Sequence, residues 1–170
     1  MSLSLIPRLR VDRVLALSPA FLRERGVRLL LLDLDNTLAP YSGPGPTAEL
    51  FAWKEALLEG GVTPFIVSNT KTERAKRFAA AWGVDYVDGA GKPRGRGIRA
   101  ALKRCGAAPS EAALAGDQVF TDVLGANRAR VLSIAVKPLD LKNPFYILRY
   151  AVELPFRALC RPAAQRKSIQ

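Results

Sequence analysis

Eight residues from Val27 to Leu34, four of them consecutive leucines, form an apolar run. The run is too short for a typical helix and long enough for a strand covered on both faces, as central strands of parallel sheets are. The segments after it repeat the theme. Beyond a Pro- and Gly-punctuated loop, Pro40 to Pro46, Thr47 is placed to cap a helix to about Glu59, with Leu50, Phe51, Trp53, Ala56, Leu57 and Leu58 clustered on one side. Gly60-Gly61 stops it. Thr63 to Val67 reads as a second strand, Thr72 to Trp82 as a helix ended by Gly83, and Val84 to Val87 as a third strand. Ile98 to Cys105 (helix), Ala112 to Ala115 (strand), Thr121 to Ala129 (helix) and Val131 to Val136 (strand) complete the alternation. This pattern predicts an α/β fold built on a doubly wound parallel sheet of about five strands.

A chain of 170 residues, 49% of them apolar, suits one domain over 1–170 with a core of about 27–136 and two flanks, 1–26 and 137–170. The flanks hold most of the positive charge. Residues 1–28 carry six Arg against two acids and 137–170 seven Lys or Arg against two acids, whereas thirteen basic and eleven acidic residues nearly balance in between. Ser18-Pro19 reads as a helix start, and Asn143-Pro144 begins a helix carrying Phe145, Ile147, Leu148, Val152, Leu154 and Phe156, with Arg149 and Glu153 spaced for an i, i+4 pair.

Histidine is absent, which removes imidazole bases and every His-containing metal site and leaves carboxylates and lysines to carry any chemistry. Cys105 and Cys160 lie far apart without metal-ligand spacing and follow no secretory signal, so they read as reduced thiols of a cytoplasmic protein. No run approaches the roughly 20 apolar residues of a spanning helix.

Polar residues of interest fall at strand ends, where open α/β sheets bind ligands. Asp33, Asp35, Asn36 and Thr37 follow the first strand, Ser68 and Asn69 the second; Lys92 lies beyond the third, and Asp117 and Asp122 follow the fourth. Asp33 and Asp35, two residues apart on extended backbone, project from one face. Asp35-Asn36 also suits a plain turn. Asp33, however, sits within the apolar run, where an unpaired carboxylate is costly and calls for a cation. Asp117 supplies a facing wall, with Gly116 allowing close approach of a ligand to the backbone, and Asp122 is placed to ligate directly or through water. Clustered carboxylate oxygens suit a hard ion such as Mg²⁺. Ser68-Asn69 near a helix start suits phosphate oxygens, as do Asn36 and Thr37; Lys92 between Gly91 and Pro93 is either a phosphate-neutralising cation or a solvated side chain.

Strand-DLDNT, strand-SN, the GKP lysine and strand-GDQVFTD, in this order from about Val27 to Val136, resemble the four motifs of the haloacid-dehalogenase superfamily of phosphatases. Within subfamily IIIA the short chain, GDQVFTD and basic flanks look most like the bacterial YqeG group, which is similar to phosphatidylglycerophosphate phosphatases. The resemblance implies Asp33 as nucleophile, Asp35 as general acid and then base with its backbone carbonyl on Mg²⁺, Ser68 and Lys92 as phosphate ligands, and Asp117 as a metal ligand. Thr70 departs from the group, which more often reads SNN, and Gly95-Arg96-Gly97 is unusually basic and Gly-rich.

Cap domains of such phosphatases enter at connections that are short here, Leu38 to Pro46 and Tyr86 to Gly91, so an uncapped, open site is expected. Open sites admit a phosphate carried on something large. A phospholipid headgroup fits, with phosphatidylglycerophosphate as the substrate the resemblance implies; a phosphorylated macromolecule or soluble phosphoester is the alternative. The basic flanks either lie on an anionic membrane surface, as a peripheral protein at its inner face, or pack on the core with their Arg stems snorkelling into water. A nucleic-acid-binding module finds little support because no aromatic-basic RNA motif is present. A non-catalytic phospho-receiver would not need the second acid of Asp33-x-Asp35.

Overall fold

The computed structural model describes residues 4–41, 43, 45–70 and 73–160. Six parallel strands, β1 (Leu9–Val11), β2 (Leu29–Leu32), β3 (Thr63–Val67), β4 (Asp85–Val87), β5 (Ala112–Gly116) and β6 (Leu132–Val136), form one sheet in the order β1-β6-β5-β2-β3-β4. The helices are α1 (Pro19–Arg23), α2 (Ala48–Glu59), α3 (Glu73–Trp82), α4 (Arg96–Arg104), α5 (Leu124–Ala129) and α6 (Pro144–Ala158).

The leucine run explains why both faces are covered. All four residues of β2 are buried, between β3 and β5, and the period of two divides them. Leu30, Leu32 and Leu34 meet Leu50, Trp53 and Leu57 of α2 and Phe78 and Trp82 of α3. Leu29 and Leu31 meet Ile98, Ala101 and Leu102 of α4 and Ala126 of α5. Trp53 and Trp82 stack 6.3 Å apart, and each buried indole N–H finds a carbonyl, on Leu17 and Leu50 respectively.

Capping follows the sequence signals. The Thr47 hydroxyl accepts from the Leu50 N–H and the Ser18 hydroxyl from the Phe21 N–H, each satisfying a donor at a helix start. The start expected for α3 at Thr72 and the loop positions Ser42 and Pro44 lie outside the described residues, as does 161–170.

Four differences from the sequence reading have physical causes. The sheet has six strands rather than five, because Leu9–Val11 pairs in parallel with Ile134–Val136. This three-residue edge strand is interleaved with arginine, so no apolar run announces it. The helix expected from Thr121 begins instead as a π-helical turn, Val119–Val123. α4 starts two residues early, at Arg96, behind Gly95 at φ +73°. Finally, Arg149 and Glu153 do not form the expected ion pair: Arg149 reaches Asp117, and Glu153 pairs with Arg157.

Candidate active site

The chain leaves β2 at Asp33, whose N–H still bonds Ala115 O at 3.0 Å, so its carboxylate stands at the C-terminal edge of the sheet. Across from it, β5 ends at Gly116 and delivers Asp117. The π-helical turn then swings Asp122 back over Gly116, where a Cβ would collide with the Asp122 carboxylate. From the sequence, Gly116 is expected to admit a ligand; the group it admits is Asp122. Asp33, Asp117 and Asp122 are all buried, and one carboxylate oxygen from each lies within 4.8 Å of the others.

Such a cluster is unfavourable without positive charge. Lys92 Nζ sits 2.6 Å from Asp33 Oδ1 and 2.6 Å from Asp122 Oδ1. Its loop is pinned by Asn69, which accepts from Lys92 N–H at 2.8 Å and donates to Lys92 O at 3.0 Å. Burial pushes the Asp33 carboxyl up to about 7 against the pull of Lys92. Burial likewise lifts Asp117 well above the usual carboxylate range, helped by the Asp33 and Asp122 charges and opposed by Arg149. Lys92 is itself raised, because the attraction of Asp122 and Asp33 outweighs a desolvation that acts the other way.

Asp35 is held separately. Thr70 Oγ1 donates to its Oδ2 at 2.9 Å, and Arg74 Nε donates to its Oδ1 at 2.9 Å. Arg74 also ties down the loop carbonyls of Pro40 and Gly43. Asp33, Asp35, Ser68, Asn69 and Lys92 line one cleft together with Tyr41, Thr70, Gln118 and Thr121. Its volume is about 70 Å³, small beside the roughly 300–1,000 Å³ of pockets that enclose small molecules. The connection from Asp33 to Thr47 is short, and no inserted domain roofs the cleft among the described residues.

Two expected phosphate contacts are not brought into the cleft. Asn36, at φ +63° and fully buried, uses both ends of its amide on Asp140, donating to its carbonyl at 2.8 Å and accepting from its N–H at 2.7 Å. It fastens the loop after β2 to the segment after β6. Thr37 is buried with its hydroxyl unpartnered.

The sequence reading missed Tyr41, Thr70, Arg74 and Arg149. Arg149 Nη2 lies 3.0 Å from Asp117 Oδ2 and Arg157 donates to the Asp117 carbonyl, so α6 closes one side of the acidic cluster. Tyr41 stacks on Tyr146 at 4.7 Å, and burial pushes its phenol up to about 12. In the sequence Thr70 stands out only as a departure from a motif, and Arg74, one residue into α3, has no marker beyond its proximity to Ser68. Nothing local could tie Arg149 to a carboxylate 32 positions away.

A model of haloacid dehalogenase-like hydrolases matches residues 46–130. A relative in Bacillus subtilis (strain 168), described as "Probable phosphatase YqeG", is 34% identical over 149 residues, which span 88% of this chain and 86% of the relative. This chain belongs to the haloacid dehalogenase-like hydrolases. The expected resemblance is borne out, and with it the reading of the chain as a phosphatase of this superfamily. Solved structures of hydrolases with the same fold include the cobalt-bound deoxy-D-mannose-octulosonate 8-phosphate phosphatase of Haemophilus influenzae, at 18% identity and TM-score 0.55 over 75% of each chain. Another is the 3-deoxy-D-manno-octulosonate 8-phosphate phosphatase of Yersinia pestis, at 16% identity and TM-score 0.52 over 81% of this chain and 83% of that one. At these identities the likeness establishes the fold.

The donor set fits a hard divalent ion, the cofactor of this hydrolase family. Asp117 Oδ1 is buried without a hydrogen-bond partner, and it belongs to a cluster whose ligand atoms are all carboxylate oxygens.

Proposed function

We propose that this haloacid dehalogenase-like hydrolase cleaves phosphomonoesters through an aspartyl-phosphate on Asp33, with Mg²⁺ as its metal. Asp33, Asp117, Asp122 and the Asp35 carbonyl would hold the ion, which supplies charge neutralisation at the phosphoryl oxygens. Asp33 attacks phosphorus, and the bond to the leaving oxygen breaks as Asp35 gives that oxygen a proton. Asp35 then takes a proton from water, whose oxygen attacks phosphorus and releases inorganic phosphate from Asp33. Lys92, Ser68 and Asn69 bind the phosphoryl group, with Lys92 countering its charge. Thr70 and Arg74 act as positioning residues by fixing the Asp35 carboxylate beside the cleft.

The observation that carries this reading is the pairing of Asp33 with Lys92 at 2.6 Å in the same cleft as Asp35 and Ser68. An unroofed cleft of this size suits a phosphate presented on a large carrier. We take that carrier to be a phospholipid headgroup, phosphatidylglycerophosphate in particular, processed by a single-domain protein at the cytoplasmic side of a membrane. No helix among the described residues is long and apolar enough to cross one.

The test is phosphate release from phosphatidylglycerophosphate in mixed micelles with Mg²⁺, comparing the wild type, Asp33→Asn and soluble phosphomonoesters. Turnover of the lipid over soluble esters, abolished in Asp33→Asn, is the expected result. Turnover of soluble esters alone would discard the lipid and keep the chemistry. Full activity in Asp33→Asn would remove Asp33 as nucleophile.

A further inference from the structure

Helix α6 is packed inside out. Surface helices ordinarily turn an apolar stripe toward the core. Here most of the inward residues are polar: Glu153 and Arg157 are buried and Tyr146, Arg149 and Tyr150 half-buried, with Phe156 the apolar exception, packed against Val119, Val123 and Ala135. Glu153 accepts from Val119 N–H at 2.9 Å, Arg157 donates to Val136 O at 3.0 Å, and Arg149 pairs with Asp117. The acidic cluster thus draws in the helix's charged face and leaves the other one in water. Phe145, Leu148 and Leu159 are 66%, 64% and 68% exposed. At 3.6 residues per turn they share one stripe with the exposed Val152.

A groove of about 770 Å³ runs between α6 and β1, lined among others by Arg10, Arg13, Lys137, Leu154 and Arg157. Arg10, Arg13 and Lys137 are exposed, and Arg157 Nε is buried without a hydrogen-bond partner. Arg13 meets Glu49 at 3.2 Å in a solvent-exposed pair that water screens, and among the described residues Asp12 is the one acid lining the groove.

The exposed Ile147 and Leu154 carry the apolar surface of α6 round from this stripe to the groove that Leu154 lines, so the occupant has to satisfy an apolar face and a basic groove together. A second copy of a chain with net charge +11 would bring like charges face to face. A nucleic acid would use the charge and leave the stripe in water. An anionic lipid surface takes both. We propose that the outward stripe of α6 inserts shallowly into such a surface while the exposed Arg10 and Lys137 engage its headgroup phosphates. The stripe begins at the cleft: Phe145 packs edge-on against Tyr146 at 6.1 Å, and Tyr146 stacks on the cleft residue Tyr41. A lipid phosphate therefore reaches Asp33 without leaving the interface, a consequence that rests on the proposed phosphatase activity.

The experiment is sedimentation of the full chain with vesicles of phosphatidylglycerol and phosphatidylcholine, or of phosphatidylcholine alone, at low and high salt. Wild type is expected on the anionic vesicles, with less binding as salt rises. Leu148→Ser with Val152→Ser should lower that binding at least about tenfold, since each apolar side chain kept out of water contributes on the order of one decade. Its turnover of p-nitrophenyl phosphate should stay at the wild-type level, which reports an intact fold. Arg10→Glu with Lys137→Glu leaves α6 untouched and should abolish the salt-sensitive binding. Wild type that stays off anionic vesicles at low salt overturns the proposal. So does a serine variant that binds as wild type, or one that instead converts a wild-type dimer to monomer in light scattering. Stripe-dependent vesicle binding without turnover of any ester would overturn the phosphatase reading and leave the surface standing.

Discussion

Replacing Lys92 by alanine tests whether the acidic cluster depends on this one ammonium. The Lys92 side chain is 1% exposed and touches Asp33 and Asp122 at 2.6 Å each. Its loss leaves those carboxylates and Asp117 buried without it, and removing one partner of a buried pair costs about 3–5 kcal/mol. For a chain of this size that is a drop in Tm of roughly 6–20 °C in metal-free buffer. Mg²⁺ should restore more stability to Lys92→Ala than to wild type, because in the variant it relieves repulsion that the ammonium already relieves in wild type; saturation at a hundred times Kd adds about 2.7 kcal/mol. Losing a charged group that faces the phosphoryl oxygens should also slow kcat by about two to three decades. Differential scanning calorimetry with EDTA and then with Mg²⁺ reads the first effect, and phosphate release the second. A Tm within about 2 °C of wild type in EDTA, with equal Mg²⁺ shifts in both proteins, would refute the reasoning.

Gly116→Ala should displace the Asp122 carboxylate, lowering Mg²⁺ affinity in calorimetric titration and lowering activity while secondary structure by circular dichroism persists; unchanged Mg²⁺ affinity would show that Asp122 is not held there. The pH response should depend on metal. Burial holds Asp33 near 7, so above the ordinary carboxylate range the folded chain keeps a proton that the unfolded chain has released. Its contribution to stability is fully present below about pH 4 and is lost as pH rises through about 7. In EDTA, Tm should fall from pH 5 to pH 7.5, and saturating Mg²⁺, which binds the ionised carboxylates, should narrow or invert that difference. Parallel pH profiles with and without Mg²⁺ would contradict this.

The fold was legible where burial is continuous along the chain. Leu29–Leu32, Thr63–Val67 and Ala112–Gly116 announce themselves because a strand covered on both faces must be apolar throughout. Leu9–Val11 did not, since an edge strand tolerates the arginine that hides it. Asp33, Asp35, Ser68, Asn69, Lys92 and Asp117 were legible because strand ends of an open sheet converge whatever the loops do. Arg74 and Arg149 come from helices and act across space, on carboxylates 39 and 32 positions away, and no periodicity encodes that. The apolar residues of α6 were legible as helical, but which of them turn outward depends on the buried Glu153 and Arg157 and on Asp117, through its demand for Arg149.

That demand also sets an order of assembly. Asp33, Asp117 and Asp122 are synthesised well before Arg149 and Arg157, so a chain still emerging from the ribosome carries the acids of its site without the two arginines that α6 brings to Asp117. Until α6 docks, Lys92 pairs with Asp33 and Asp122, and Asp117 lacks the arginine it is paired with in the folded chain. Among the described residues α6 is the last helix, so the arginines it brings to Asp117 join the site after every strand that positions the acids has been made.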